Sequence, residues 1–191
     1  MIDYGILNAS VHHYDELGYK RIESPWLVSE KINDITCPPT AKKYYVYKGD
    51  RMKTFVASGE QSFLYLINKN FIPFGSYQTV TPCMRDDDFD DLHSKYFMKN
   101  ELIVYRDNLK VSDIHPVVEH AYDFFRYYFP KENLIKQQIS VNEVDINLVH
   151  KDRVIELGSY GFRTCYFCSW IYGTGVAEPR LSDAIKFWRN P

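Results

Sequence analysis

Residues 85 to 101 read RDDDFDDLHSKYFMKNE, which places Arg85, Asp87, His93, Phe97 and Glu101 in one short span. Two hydrophobic, strand-like runs flank the acidic stretch. Alternate side chains of a strand share a face, so Cys83 and Arg85 project together from the first run. Phe97, Lys99 and Glu101 project together from the second. A guanidinium beside a planar ring suits a nucleotide: the ring stacks on a base, and the cation makes charge-assisted hydrogen bonds to phosphate. Taken alone, Arg85 also reads as a strand-end cation paired with neighbouring aspartates, and Phe97 as core. Asp86, Asp88, Asp90 and Asp91 read as solvated loop charge.

Companion stretches weigh on that choice. GTGVAEPRLSDAI puts Gly173 and Gly175 ahead of Arg180 at the opening of a helix. A helix N-terminus is a poor place for a cation, so Arg180 calls for a functional reason. LGYKRIESPWL carries Gly18, Tyr19 and Pro25 after a helical segment. These three stretches, in this order, resemble motifs 1, 2 and 3 of the class II aminoacyl-tRNA synthetases, and the resemblance runs from residue 18 to residue 180. IELGSY, with Glu156 and Ser159, and ASGEQ, with Ser58 and Glu60, are similar to the seryl-type branch. The chain also resembles the amino acid:carrier-protein ligases.

The resemblance implies roles. Arg85 holds the ATP α-phosphate, His93 contacts the outer phosphates, and Asp87 completes the nucleotide site. Phe97 stacks under adenine; Arg180 stacks above it and reaches the γ-phosphate. Glu156, with Ser159, holds Mg²⁺. Ser58, Glu60 and Glu101 meet the amino acid, for which a small polar side chain is favoured. Cys83, Glu156 and Cys168 are the alternative, a zinc site for the substrate amine, which the competing Mg²⁺ role of Glu156 disfavours. Glu156 and Ser159 lie three apart, so an ideal strand would face them oppositely; Gly158 marks the place for a bulge that corrects this. The acceptor is a tRNA end or a carrier protein, and motif 1 implies a homodimer.

The elements that must position these residues follow from periodicity. Residues 3–17 place Tyr4, Leu7, Val11, Tyr14 and Leu17 on one helical face, with Gly18 as the stop. YKRIESPWLV is a strand that must break at Pro25, and NDITCPPTAKK is loop. YYVYKGDRMKTFVAS turns as a hairpin on Lys48, Gly49 and Asp50. EQSFLYLINKN is a short helix, and residues 112–129 form another, capped by Ser112. IKQQISV, VDINLV and RVIELGSYGFRTCYF are strands, the last containing Cys165 and ending just before Cys168. About seven strands against four helices, with hairpins, indicate an α+β domain on a mainly antiparallel sheet flanked by helices. The expected unit is one minimal catalytic domain over residues 1–191, with no anticodon-binding domain or tRNA-binding arm.

Composition excludes some classes. A net charge of −2 provides no general electrostatic footprint for nucleic acid or an anionic membrane. No run approaches the apolar length of a membrane helix. Four cysteines in 191 residues do not make a secreted disulfide framework, so a cytoplasmic setting is expected. The function implied is ATP-dependent amino-acid activation. Its rival is a non-catalytic synthetase paralogue that binds nucleotide, amino acid, RNA or a protein partner.

Overall fold

Two short elements at the N-terminal end already set the site's frame. Asp3 caps α1 (Tyr4–Glu16) by accepting from the backbone of Gly5 and Ile6, satisfying donors that a helix start leaves free. Gly18, at φ +85°, ends the helix in the left-handed region that glycine tolerates. Leu7, Val11 and Tyr14 are buried as expected, whereas Tyr4 and Leu17 at the two ends of the stripe are 66% and 41% exposed. The computed structural model describes residues 1–38, 40–86 and 95–189.

The proline break is real, and it separates two sheets. β1 (Lys20–Arg21) pairs in parallel with β5 (Gly75–Met84). β2 (Leu27–Val28), beyond Pro25, instead joins a small sheet with the hairpin β3 (Tyr45–Lys48) and β4 (Arg51–Phe55), in the order β2-β4-β3. Between them, α2 (Glu30–Asn33) is a single helical turn that sequence periodicity does not anticipate. α3 (Gly59–Asn68) follows, its first turn fixed by the Ser58 side chain.

The main sheet has seven strands in the order β1-β5-β6-β10-β9-β8-β7, with β6 (Tyr96–Tyr105), β7 (Leu134–Ser140), β8 (Glu143–His150), β9 (Arg153–Thr164) and β10 (Ser169–Glu178). Every pairing except β1–β5 is antiparallel. α4 (Ile114–Phe125) is shorter at both ends than residues 112–129. Ser112 lies in a preceding 3-10 turn, which the Asp113 carboxylate closes on the Lys110 amide. The glycine-rich run before Arg180 is strand β10, and α5 (Arg180–Arg189) starts directly after it. Cys165 and Cys168 are not in a strand: they bracket the turn between β9 and β10.

Period-two alternation splits the sheet into two faces. One meets α1, α4 and α5 through a large apolar core containing Leu102, Phe124, Ile146, Tyr160, Ile171 and Leu181. Within it, Asn100 donates to Ser10 and Gln78, and Gln78 donates to Val11 O and Asp15, which ties α1 to β5 and β6. The other face packs at one end against α3 through Phe63, Leu64, Ile103 and Trp170. Its remaining length is left to a cavity. No helix among the described residues is long and apolar enough to cross a membrane.

Candidate active site

A cavity of about 430 Å³ opens on that second face, within the size range of small-molecule sites. Arg85, Phe97 and Arg180, which stand on β5's end, β6 and the first turn of α5, all line it. Ser58, Glu60, Glu101, Glu156 and Ser159 line it too. Asp87 and His93 lie outside the described residues.

Arg85 continues from β5, its amide donating to Lys95 O across the strand pair. Its Nε donates to Ala57 O at 3.0 Å, and its guanidinium carbon stands 5.2 Å from the Phe97 ring centroid. Ring and cation are therefore adjacent before any ligand arrives. Arg180 donates to the Glu156 carboxylate at 2.9 Å and to the Glu156 carbonyl at 3.4 Å. Its helix is capped from within, because the buried Glu178 carboxylate accepts from the Ser182 amide and hydroxyl at 3.0 and 2.6 Å. An acid near that N-terminus offsets the cation placed there.

Glu156 and Ser159 reach one cavity because β9 is bulged. Ile146 pairs with Gly158 while the next residue, Asn147, pairs with Glu156, so Leu157 has no opposite number. Gly158 allows the kink: a Cβ there would lie 2.5 Å from the Tyr160 hydroxyl and 2.9 Å from Thr174 Cβ. Ser159 then donates to Glu143 at 2.9 Å, next to Asp145. Asp145 Oδ1 is buried and has no hydrogen-bond partner among the described residues. Burial, then the Glu156 carboxylate, raise the Asp145 carboxyl to about 6, against the pull of Ser159. Glu143 adds to the rise and Arg180 opposes it.

This corner suits Mg²⁺. An orphaned buried carboxylate oxygen beside Glu156 is an oxygen donor without a partner, and Mg²⁺ takes one or two carboxylates plus phosphates and waters rather than an all-protein cage. Zinc does not find its set. Among the described residues no three His, Cys, Asp or Glu side chains gather for a metal ion. Cys83 is fully buried beside Thr81, its thiol raised to about 11 by burial, and Cys168 sits in the β9–β10 turn.

At the opposite end, two carboxylates are held by resident cations. Glu101 accepts from Lys99 at 2.9 Å and from Ser58 at 2.5 Å. Glu60 is only 3% exposed, with one oxygen taken by Arg163 at 2.7 Å and the other by Trp170 Nε1 at 2.6 Å. Burial raises the Glu60 carboxyl despite Arg163. Arg163 also lies over the Tyr172 ring, 4.1 Å from its centroid. Sequence reading missed Arg163, Trp170, Asp145 and Glu143. Two of them carried a period-two signal: Arg163 shares Ser159's face at four residues' distance, and Asp145 interrupts an apolar strand.

No family model matches the chain, and no curated protein does. Solved structures do. A cytoplasmic serine–tRNA ligase from Naegleria fowleri, in complex with AMP, aligns with a TM-score of 0.74 at 15% identity, over 93% of this chain and 52% of that one. Seryl-tRNA synthetase from Pyrococcus horikoshii, complexed with ATP, aligns with a TM-score of 0.71 at 13% identity, over 96% of this chain and 49% of the other. PylSc, a pyrrolysyl tRNA synthetase from Desulfitobacterium hafniense, gives 0.71 at 14% identity, over 96% and 67%. The fold is that of the class II synthetase catalytic domain. The chain spans about half the length of the two seryl enzymes.

Proposed function

We propose that this domain activates an amino acid with ATP. A substrate carboxylate oxygen attacks the α-phosphorus, the bond to the bridging oxygen breaks, pyrophosphate leaves, and an aminoacyl-adenylate stays in the cavity. The observation that carries the reading is the convergence of Arg85, Phe97 and Arg180 on one cavity. Adenine stacks between Phe97 and Arg180. Arg85 faces the charge that builds on the α-phosphate, where fixed cations in a partly dry site act most strongly. Asp87 and His93 belong to the nucleotide site, His93 at the outer phosphates.

Glu156 and Asp145 would hold Mg²⁺, which would neutralise phosphate charge. Arg180 exchanges its Glu156 partner for the γ-phosphate. Ser58, Glu60 and Glu101 meet the substrate amino acid, the two carboxylates held in place by Arg163 and Trp170 on one side and Lys99 on the other. A floor of paired charges and hydroxyls favours a small polar side chain. The adenylate passes to a tRNA acceptor end or a carrier protein, in the cytoplasm, from a homodimer.

ATP–pyrophosphate exchange across all amino acids tests the proposal. Exchange is expected with one amino acid or a few, and Arg85→Ala should lower it about 10²- to 10³-fold. No exchange with any amino acid, combined with no ATP–Mg²⁺ protection in a thermal melt, would favour the non-catalytic paralogue.

A further inference from the structure

The β9–β10 turn brings two thiols together outside the cavity. Thr164 pairs with Ser169, and beyond them the Cys165 amide donates to Cys168 O at 2.8 Å, so the antiparallel register continues to the cysteines. Directly opposed, hydrogen-bonded residues have Cα atoms about 5.5 Å apart, inside the range of roughly 4.4–6.8 Å that a disulfide spans. The sulfurs stand 3.8 Å apart. Both side chains are half-buried and Tyr166, between them, is 68% exposed, so a small reagent reaches the turn.

We propose that Cys165 and Cys168 are a reversible dithiol–disulfide modification site, oxidised by a low-molecular-weight disulfide. One thiolate of the pair displaces one thiolate from the reagent disulfide and forms a mixed disulfide. The other thiolate then attacks the protein sulfur of that mixed disulfide and expels the second. Two protein thiols are oxidised, one reagent disulfide is reduced to two thiols, and the two protons leave with them. Because the two cysteines are already in contact, the second step is intramolecular and outruns further reagent.

A bridge here has a defined address. Arg163 and Trp170, paired across β9 and β10 two positions from the cysteines, are the residues that hold Glu60. Oxidation clips the strand pair that carries this clamp.

The full chain is incubated with excess oxidised over reduced glutathione, quenched in acid, unfolded, alkylated and digested with trypsin. Cleavage after Arg163 and Arg180 isolates Cys165 and Cys168 in one peptide that lacks Cys37 and Cys83. The peptide should lose the mass of two hydrogens, take no alkyl group, and regain both thiols in reduced glutathione. Cys165→Ser and Cys168→Ser should instead stop at a glutathione adduct. Full alkylation of the unmutated peptide, a persistent glutathione adduct on it, or a link to Cys37 or to a second chain would overturn the proposal.

Discussion

The two faces of the main sheet are made by the same strands and do opposite work. On β6, Leu102 and Asn100 face α1, while Glu101, Lys99 and Phe97 face the cavity. On β9, Tyr160 is sealed in the apolar core, whereas its neighbour Ser159 meets Glu143 at the cavity wall. The helix-covered side is apolar, crossed by the amides of Gln78 and Asn100, the latter with its Oδ1 left unpartnered among the described residues. The open side concentrates cations and carboxylates around the cavity, where Asp145 Oδ1 and Asn33 Oδ1 have no hydrogen-bond partner among the described residues. Alternation thus lets stability and chemistry be altered separately, residue by residue, within one strand.

Three experiments sharpen or break that separation. The largest effect belongs to the covered face: Phe125→Ala, at a fully buried site on α4, should cost about 3–5 kcal/mol in denaturant melts. Arg85→Ala, on the open face, should remove about 2.7–4 kcal/mol of transition-state stabilisation from the exchange reaction with little change in Tm. A large loss of Tm there would mean that the cavity cation is structural. The smallest effect is electrostatic. Asp145 is raised to about 6 in the fold, so the native state binds more protons than the unfolded chain as pH climbs from the ordinary carboxyl range to that value. Stability conferred below that window is therefore lost through it. Asp145→Asn should flatten this slope, a gain at neutral pH of order 1 kcal/mol after allowing for partial solvent access. In the unmutated chain, Mg²⁺ should weaken the same slope.

Much of this arrangement was legible because strands of period two and punctuated turns leave local marks. The β3–β4 hairpin turns at Gly49, at φ +58°, where Lys-Gly-Asp stands. The run GTGVAEPR placed Arg180 at the start of α5. What was not legible is long-range or unpunctuated. Glu60 and Arg163 are 103 residues apart, and no spacing pairs them. Cys-Tyr-Phe-Cys contains none of the glycine, proline or asparagine that signals a turn, so its hairpin read as continuous strand. The Glu30–Asn33 helix is shorter than the window from which helical period is read.

The unpaired Leu157 has a reach beyond its own position. Shifting a strand by one residue swaps inside for outside along everything that follows. Were Leu157 paired in a regular ladder, everything after it would slip by one, turning Ser159 and Arg163 into the apolar core and Tyr160 toward the cavity. β9 thus carries one residue more than its ladder needs, and keeping that supernumerary residue out of the pairing sets the phase of the whole wall.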